Sequence, residues 1–286
     1  MPGIGDGGLS LLFAKGQRPS RDDLARLAAA RVAPGAGGFS LGHDFGGHGT
    51  GREGSGREGS GRYGNSKPGT RSQVTRKHPG QDDTGQLELV ASGLTFELSG
   101  LHPAPPAPPP VVHHRFGADE GAGLTTLEAV ALLPGDHIAG GQVLMPVVRT
   151  MLALACRMAE LPGLSAIVWH PAHSLIGPGL FRRQVDGWLG GGAFPALGLT
   201  ALIKGADGTV RSHGLAHFIG QELALDPSID GGAAAAARVA VRLIHALVED
   251  GPLQAPIDVE GPDGQPLHAA PENAGRLVHV TNRRPV

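Results

Sequence analysis

Hydrophobic positions form short runs along this chain, and the first runs predict a strand followed by a helix. Leu9 to Ala14 is a continuous apolar run bounded by glycines, which is typical of a short buried strand. The next segment has helical spacing. Ser20 can cap its amino end, acidic residues occupy its first turn, and Pro34 with Gly35 ends it.

The hydrophobic pattern disappears between residues 35 and 84, where glycine and arginine are frequent and GREGS occurs twice in tandem. Such a segment buries too little apolar surface to offset its ordering entropy, so a disordered Gly/Arg-rich insert is predicted. Between Gly51 and Gly80 it has seven basic residues against two acidic ones. This permits contact with RNA or another polyanion, with Tyr63 stacking on a base. Because the charge density is modest, we favour a solvated linker.

Alternating apolar and polar positions return after the insert. Leu87 to Leu89 and Leu94 to Leu98, on either side of Ser92 and Gly93, predict two half-buried strands or one bulged strand. The proline-rich run from Pro103 to Pro110 predicts an extended polyproline connector. We interpret it as a stiff spacer, with docking into a partner's aromatic groove as the alternative.

Helices and strands alternate over the rest of the chain. An alanine-rich stretch is the clearest helix, capped near Asp230 and ended by Gly251. Asp207 and Gly208 are a turn signal within a hairpin. The other predicted elements are helices at Val143–Glu160 and Gly179–Leu189, and strands at Ser165–Ala172, Leu199–Lys204, Thr209–Ser212, Ile257–Gly261 and Arg276–Asn282.

These elements predict an α+β fold with a mainly antiparallel sheet and packed helices. We expect one domain, in which residues 1–34 form the opening strand and helix, residues 35–84 the disordered insert, and residues 85–286 the main part. The opening residues are too few to bury a core of their own. The whole chain, with 286 residues of which 40% are hydrophobic, is large enough for one.

Composition narrows the classes of function. A formal net charge of −2 excludes a nucleic-acid binder that is basic throughout. Cys156 is the single cysteine, so no intramolecular disulfide can form, and its apolar neighbours predict a buried thiol. The amino terminus lacks the pattern of a secretory signal, and Arg149 and Arg157 interrupt the longest apolar stretch. We therefore expect a cytoplasmic protein that makes no membrane contact.

One group of residues, mostly histidines, suggests a metal site. His170, His173, His213, His217 and Glu222 provide enough nitrogen and oxygen ligands for a three-ligand site with an open position. A metallohydrolase helix, however, carries two histidines at i and i+4 with a glutamate between them, and His213 and His217 flank no glutamate. We favour histidines at strand ends that hold no metal, and keep a metal-dependent hydrolase as the alternative.

The stretch from Phe181 to Ala201 can be the lip of a site or a hinge between a helix and a strand. Its triple glycine, Gly190–Gly192, follows a helix and lacks the lysine and preceding strand of a phosphate cradle. It therefore predicts a helix C-cap and a turn into a strand at Ala196. Trp188 is then a packing anchor near the helix end. Arg182 and Arg183 are open between an anion contact and a solvated face.

Four segments occur in a familiar order: AIVWHPAHS, GWLGGGAFPALGLTAL, SHGLAHFIGQELAL and the alanine-rich helix. They resemble the bacterial family described as domain of unknown function 4261, over residues 87–247. The family segment Thr-x-Gly-hydrophobic-x-x-Phe-Gly-x-x-Glu-hydrophobic corresponds to residues 212–223, with Ser212 in place of threonine and Ile219 as an additional residue before the glycine. The resemblance implies a fold and no activity.

The leading hypothesis is therefore a cytoplasmic bacterial binding or interaction domain without enzymatic activity. Its expected partner is an unknown protein or small ligand, with polyanion contact through the basic insert as a lesser alternative. The sequence indicates no cofactor and assigns no catalytic residue.

Overall fold

The computed structural model of the chain describes residues 7–30, 38–42, 85–117, 123–229, 231–261 and 264–282. Two β-sheets and the helices packed on them make up these residues. The strands are β1 (Leu9–Ala14), β2 (Ser40–Leu41), β3 (Gln86–Ala91), β4 (Leu94–Ser99), β5 (His114–Phe116), β6 (Leu127–Pro134), β7 (Leu164–Trp169), β8 (Ser174–Ile176), β9 (Ala201–Lys204), β10 (Val210–His213), β11 (Glu222–Leu225), β12 (Ile257–Glu260), β13 (Pro266–Glu272) and β14 (Leu277–Asn282). The helices are α1 (Arg21–Ala29), α2 (Met145–Met158), α3 (Pro178–Leu189), α4 (Ala196–Leu199), α5 (Ala216–Ile219) and α6 (Gly232–Asp250).

The first sheet has the order β2-β3-β4-β6-β1-β7-β8-β5. β1 lies in its interior because it pairs antiparallel with β6 along one edge and with β7 along the other. Side chains of a strand alternate between the two faces. Leu9, Leu11 and Phe13 accordingly join the core under the helices, whereas Leu12 packs in a smaller cluster on the opposite face. The predicted opening strand is confirmed and is buried on both faces.

The amino end of α1 has the cap that the sequence predicts. The Ser20 side chain accepts a hydrogen bond from the Asp23 backbone N–H, and the Asp23 carboxylate accepts one from the Ser20 backbone N–H. This reciprocal capping box satisfies two N–H groups that the helix leaves unpaired. Leu24 anchors the helix in the main core.

The proline-rich segment packs against the first sheet in addition to connecting two strands. Ala104 and Ala107 are buried, and the Ala107 N–H donates to the Ala129 carbonyl of β6 at 2.9 Å. Ala107 also belongs to the small apolar cluster on the face of the sheet opposite the helices. The segment therefore covers part of that face.

The second sheet has the order β12-β13-β14-β11-β10-β9, and α6 packs against β10 and β11. The predicted hairpin is β9 and β10, closed by a hydrogen bond from the Gly205 N–H to the Thr209 carbonyl. In the described chain, parallel pairing is limited to β5 with β8 and β11 with β14. The α+β class with mainly antiparallel sheets is therefore confirmed.

Three sequence expectations change at the level of elements. Residues 38–42 lie inside the predicted insert, yet they are ordered parts of the fold. Phe39 is buried in the core, and β2 pairs with β3. Residues 31–37 and 43–84 lie outside the described residues, and with them most of the insert. The strand expected at Ala196 is wrong: Ala196–Leu199 is an irregular turn with non-helical backbone at Leu197 and Gly198, and β9 begins at Ala201. Six strands were not predicted: β2, β5, β6, β8, β11 and β13.

One continuous cluster of buried side chains spans both sheets. It includes Leu11 of β1 and Leu24 of α1 together with Leu223 of β11, Ile244 of α6 and Val280 of β14. The opening strand and helix thus share a core with the carboxyl-terminal sheet. None of the described helices has both the length and the apolar character needed to cross a bilayer.

Candidate functional site

The structure disperses the five residues of the predicted metal site. His170 lies in a single 3-10 turn after β7, with its Nε2 2.8 Å from the Ser10 hydroxyl oxygen. The Glu222 carboxylate accepts hydrogen bonds from the Gly214 N–H at 2.9 Å and the Ala216 N–H at 3.1 Å, and another from the Ser212 hydroxyl. Glu222 thereby fixes the turn between β10 and α5, which is a structural role.

The His217 ring lies in an aromatic environment. It packs edge-on against Trp169 at 5.3 Å and against Phe218 at 5.5 Å. Its Nε2 is buried without a hydrogen-bond partner among the described residues. Burial lowers the pKa of His217 from 6.5 to about 4, so the ring is neutral at physiological pH.

The two remaining candidates, His173 and His213, are neighbours, with ring centroids 5.3 Å apart. His113 and His114 complete a group of four: the His113 ring lies 4.9 Å from His173, and the His114 ring 6.5 Å from His213. The His173 carbonyl accepts hydrogen bonds from the N–H groups of His113 and His114. Parallel pairing of β5 with β8 creates this group, so its only local sequence signal is the two adjacent histidines His113 and His114.

Burial, and secondarily the nearby His213, His113 and His173 rings, lowers the pKa of His114. One nitrogen of His114 and one of His213 are buried without a partner among the described residues. Nevertheless, the part of the chain that the structure describes holds no group of three or more His, Cys, Asp or Glu side chains arranged to bind a metal ion. The predicted set of five is not brought together because Glu222 and His217 are engaged elsewhere.

A cavity of about 500 Å³ lies between α2, the end of α3 and α6, and we call it the helix cavity. This volume is typical of small-molecule sites. Its walls combine apolar side chains with a cation, an imidazole and a carboxylate. The lining residues are Met145, Arg149, Trp188, Gly191, Gly192, Ala193, Phe194, His245, Val248 and Glu249.

Two buried aromatic rings form the floor of the apolar part. Trp188 and Phe194 pack edge to face with ring centroids 5.3 Å apart. Phe194 in turn contacts Phe218 at 4.8 Å and His245 at 6.5 Å. Such edge-to-face contacts hold rings in fixed orientations. Trp188 is therefore a packing anchor, as predicted, and also part of a cavity wall.

Arg149 of α2 is fixed at the rim of these rings. Its guanidinium lies 4.6 Å from the Trp188 ring centroid, and its Nη2 donates to the Leu189 carbonyl at 3.0 Å. Lysine could make neither contact as well, because the flat guanidinium both stacks and donates directionally. Among the described residues, no carboxylate pairs with Arg149. Arg149 therefore contributes a positive charge to the wall of the helix cavity.

The triple glycine ends α3 and shapes the cavity mouth. The Gly191 N–H donates to the Trp188 carbonyl at 3.0 Å, and the Gly192 N–H to the Gly187 carbonyl at 2.8 Å. With φ of +95° at Gly191, this is a Schellman cap. The predicted C-cap is confirmed. Because both N–H groups are used inside the cap, neither can bind a ligand.

Two further residues lie outside the helix cavity. Arg182 makes an exposed ion pair with Glu160 at 3.4 Å. Cys156 is buried, and burial together with the nearby Asp186 raises the pKa of its thiol well above the usual range. The predicted buried thiol is confirmed.

Comparison with protein-family models, with curated proteins and with solved structures returned no match. The resemblance to domain of unknown function 4261 and the cytoplasmic location therefore stay predictions.

Proposed function

We propose that this protein is a binding domain for a small organic anion with an apolar body, held in the helix cavity. The anionic group would meet Arg149, and the apolar body would lie against Trp188 and Phe194. His245 adds an imidazole that can donate or accept a hydrogen bond beside the anion. A carboxylate and a phosphate monoester share the required chemistry.

One observation carries the proposal: Arg149 lines the cavity in a fixed position without a carboxylate partner in the described chain. The Trp188 ring and the Leu189 carbonyl hold the Arg149 guanidinium in one position. Holding the guanidinium in place lowers the entropy lost when an anion binds. The arrangement therefore favours anion binding over a purely structural role for Arg149.

Two features of the cavity argue for binding without catalysis. The described lining residues include no serine, threonine, cysteine, aspartate or tyrosine, and so no hydroxyl or thiol nucleophile. His245 and Glu249 lie on consecutive turns of α6, and no hydrogen bond within the described chain joins or orients them. A general base that works on a nucleophile needs a partner within hydrogen-bond reach.

Saturation-transfer NMR with three phenyl compounds tests the proposal. We expect 3-phenylpropionate and phenyl phosphate to bind, and the neutral 3-phenylpropanamide to bind at least about tenfold more weakly, since only the anions can form an ion pair with Arg149. Arg149→Gln should lose binding of both anions. Arg211→Gln, which removes an exposed arginine of β10, is the matched control and should bind both like the parent protein.

The comparison of the two anions identifies the favoured group, carboxylate or phosphate. Equal binding of 3-phenylpropanamide, or anion binding that Arg149→Gln leaves intact, would overturn the proposal.

A further inference from the structure

The helix cavity carries a second charge that the anion site does not use. Glu249 lies one turn beyond His245 on α6, is exposed, and lines the same cavity as Arg149. Within the described chain Glu249 makes no ion pair, and neither does Arg149. One cavity therefore presents a cation and a carboxylate that are not neutralised by each other.

The two charged groups belong to separate helices and are not within ion-pair distance of each other. Arg149 stays on its own wall because the Trp188 ring and the Leu189 carbonyl hold its guanidinium. Glu249 belongs to α6, whose buried face, including Ile244 and Leu247, is fixed in the core. The two side chains thus bound the cavity from separate helices.

The pair of charges selects among ligands. A compound with a single negative charge is attracted by Arg149 but repelled by Glu249. A compound with a single positive charge is attracted by Glu249 but repelled by Arg149. A molecule that carries both charges gains from both walls. Its apolar part can still contact Trp188 and Phe194, whose rings form the floor of the cavity.

We propose that the ligand of the helix cavity is a zwitterion, and specifically an apolar amino acid. Its carboxylate pairs with Arg149, its ammonium group with Glu249, and its side chain packs against Trp188 and Phe194. This inference rests on the proposed function, because it assumes that Arg149 binds an anionic group. It adds a second recognition element, Glu249, and the chemical class of the ligand.

Dissociation constants of two matched compounds test the inference. L-Phenylalanine and 3-phenylpropionate share a phenyl ring and a carboxylate, and they differ by the ammonium group. We expect the parent protein to bind L-phenylalanine about fivefold or more tightly than 3-phenylpropionate. Glu249→Gln should weaken the binding of L-phenylalanine, because it removes the attraction for the ammonium group. It should strengthen the binding of 3-phenylpropionate, because it removes the repulsion of the carboxylate.

Asp250→Asn is the control variant, since it removes an exposed carboxylate at the adjacent position of α6 that does not line the cavity. It should preserve the preference of the parent protein. Two outcomes would overturn the zwitterion proposal but not the anion site. In one, the parent protein binds 3-phenylpropionate as tightly as L-phenylalanine; in the other, the preference for L-phenylalanine persists in Glu249→Gln. If neither compound binds to the parent protein or to Glu249→Gln, both the anion site and the zwitterion proposal are overturned.

Discussion

At the scale of single residues, His217 shows how burial alone sets the charge of a side chain. The ring lies beside Trp169 and Phe218, and burial lowers its pKa. A neutral imidazole can occupy this position at little cost. An imidazolium cannot, because its charge would have to leave water without a partner.

His217 should therefore make the protein less stable in acid. The pKa is about 4 in the folded state and 6.5 in the reference state, so below pH 6.5 the unfolded chain binds more protons. The free energy of unfolding should fall as the pH drops from 7 to 4, by about 3 kcal/mol from this residue. Urea melts across this range should show a shallower decline for His217→Leu.

His137→Leu, which removes an exposed histidine, controls for the loss of an imidazole as such. A decline in His217→Leu as steep as that of the parent protein would show that the ring is protonated without cost.

At the scale of elements, the end of α3 depends on one glycine of the three. Gly191 is in the left-handed region at φ +95°, whereas Gly190 at φ −79° and ψ 5° is close to helical. Residues with a Cβ lose stability in the left-handed region. Space around Gly191 is open, so the cost of a substitution there is conformational and not steric.

Gly191→Ala should lower the free energy of unfolding by about 1 kcal/mol. Gly187→Ala should act in the opposite direction and stabilise by about 0.5–1 kcal/mol, because Gly187 is inside α3 and nothing lies near its missing Cβ. Thermal or urea melts of the two variants provide the comparison. Equal effects of the same sign would refute the assignment of the cap.

Local signals explain why some elements could be predicted from the sequence. Ser20 with Asp23, the triple glycine and the Asp207–Gly208 turn each specify backbone geometry within a few residues. The missed strands lack such signals. β6 is a Leu- and Ala-containing run whose strand state comes from pairing with β1 and β4 on both sides, and β5 has three residues.

At the scale of the whole molecule, the candidate site is assembled from three helices that are distant in sequence. The stretch around Trp188 was recognised as the possible lip of a site. Arg149, His245 and Glu249, by contrast, lie within α2 and α6, where their spacing is that of ordinary amphipathic helices. Nothing local distinguishes them from solvated positions, and only the packing of the shared core brings them to one cavity.

The predicted histidine metal site shows that residues close in sequence need not form one site. His213, His217 and Glu222 are close in sequence, which suggested a common site. In the structure, Glu222 binds backbone N–H groups and His217 enters the core beside Trp169, so that proximity along the chain does not become a shared site.

The two tryptophans allow the most direct test of the helix cavity. Trp188 lines the cavity, whereas Trp169 is fully buried in the core and is separated from Phe194 of the cavity by Phe218. The chain has two tryptophans, so a ¹H–¹⁵N spectrum contains two indole N–H signals. During titration with 3-phenylpropionate, we predict a saturable shift of the Trp188 indole signal, a Trp169 signal that does not move, and loss of the shift in Arg149→Gln. Saturable binding that leaves the Trp188 signal unchanged would contradict the helix cavity as the ligand site.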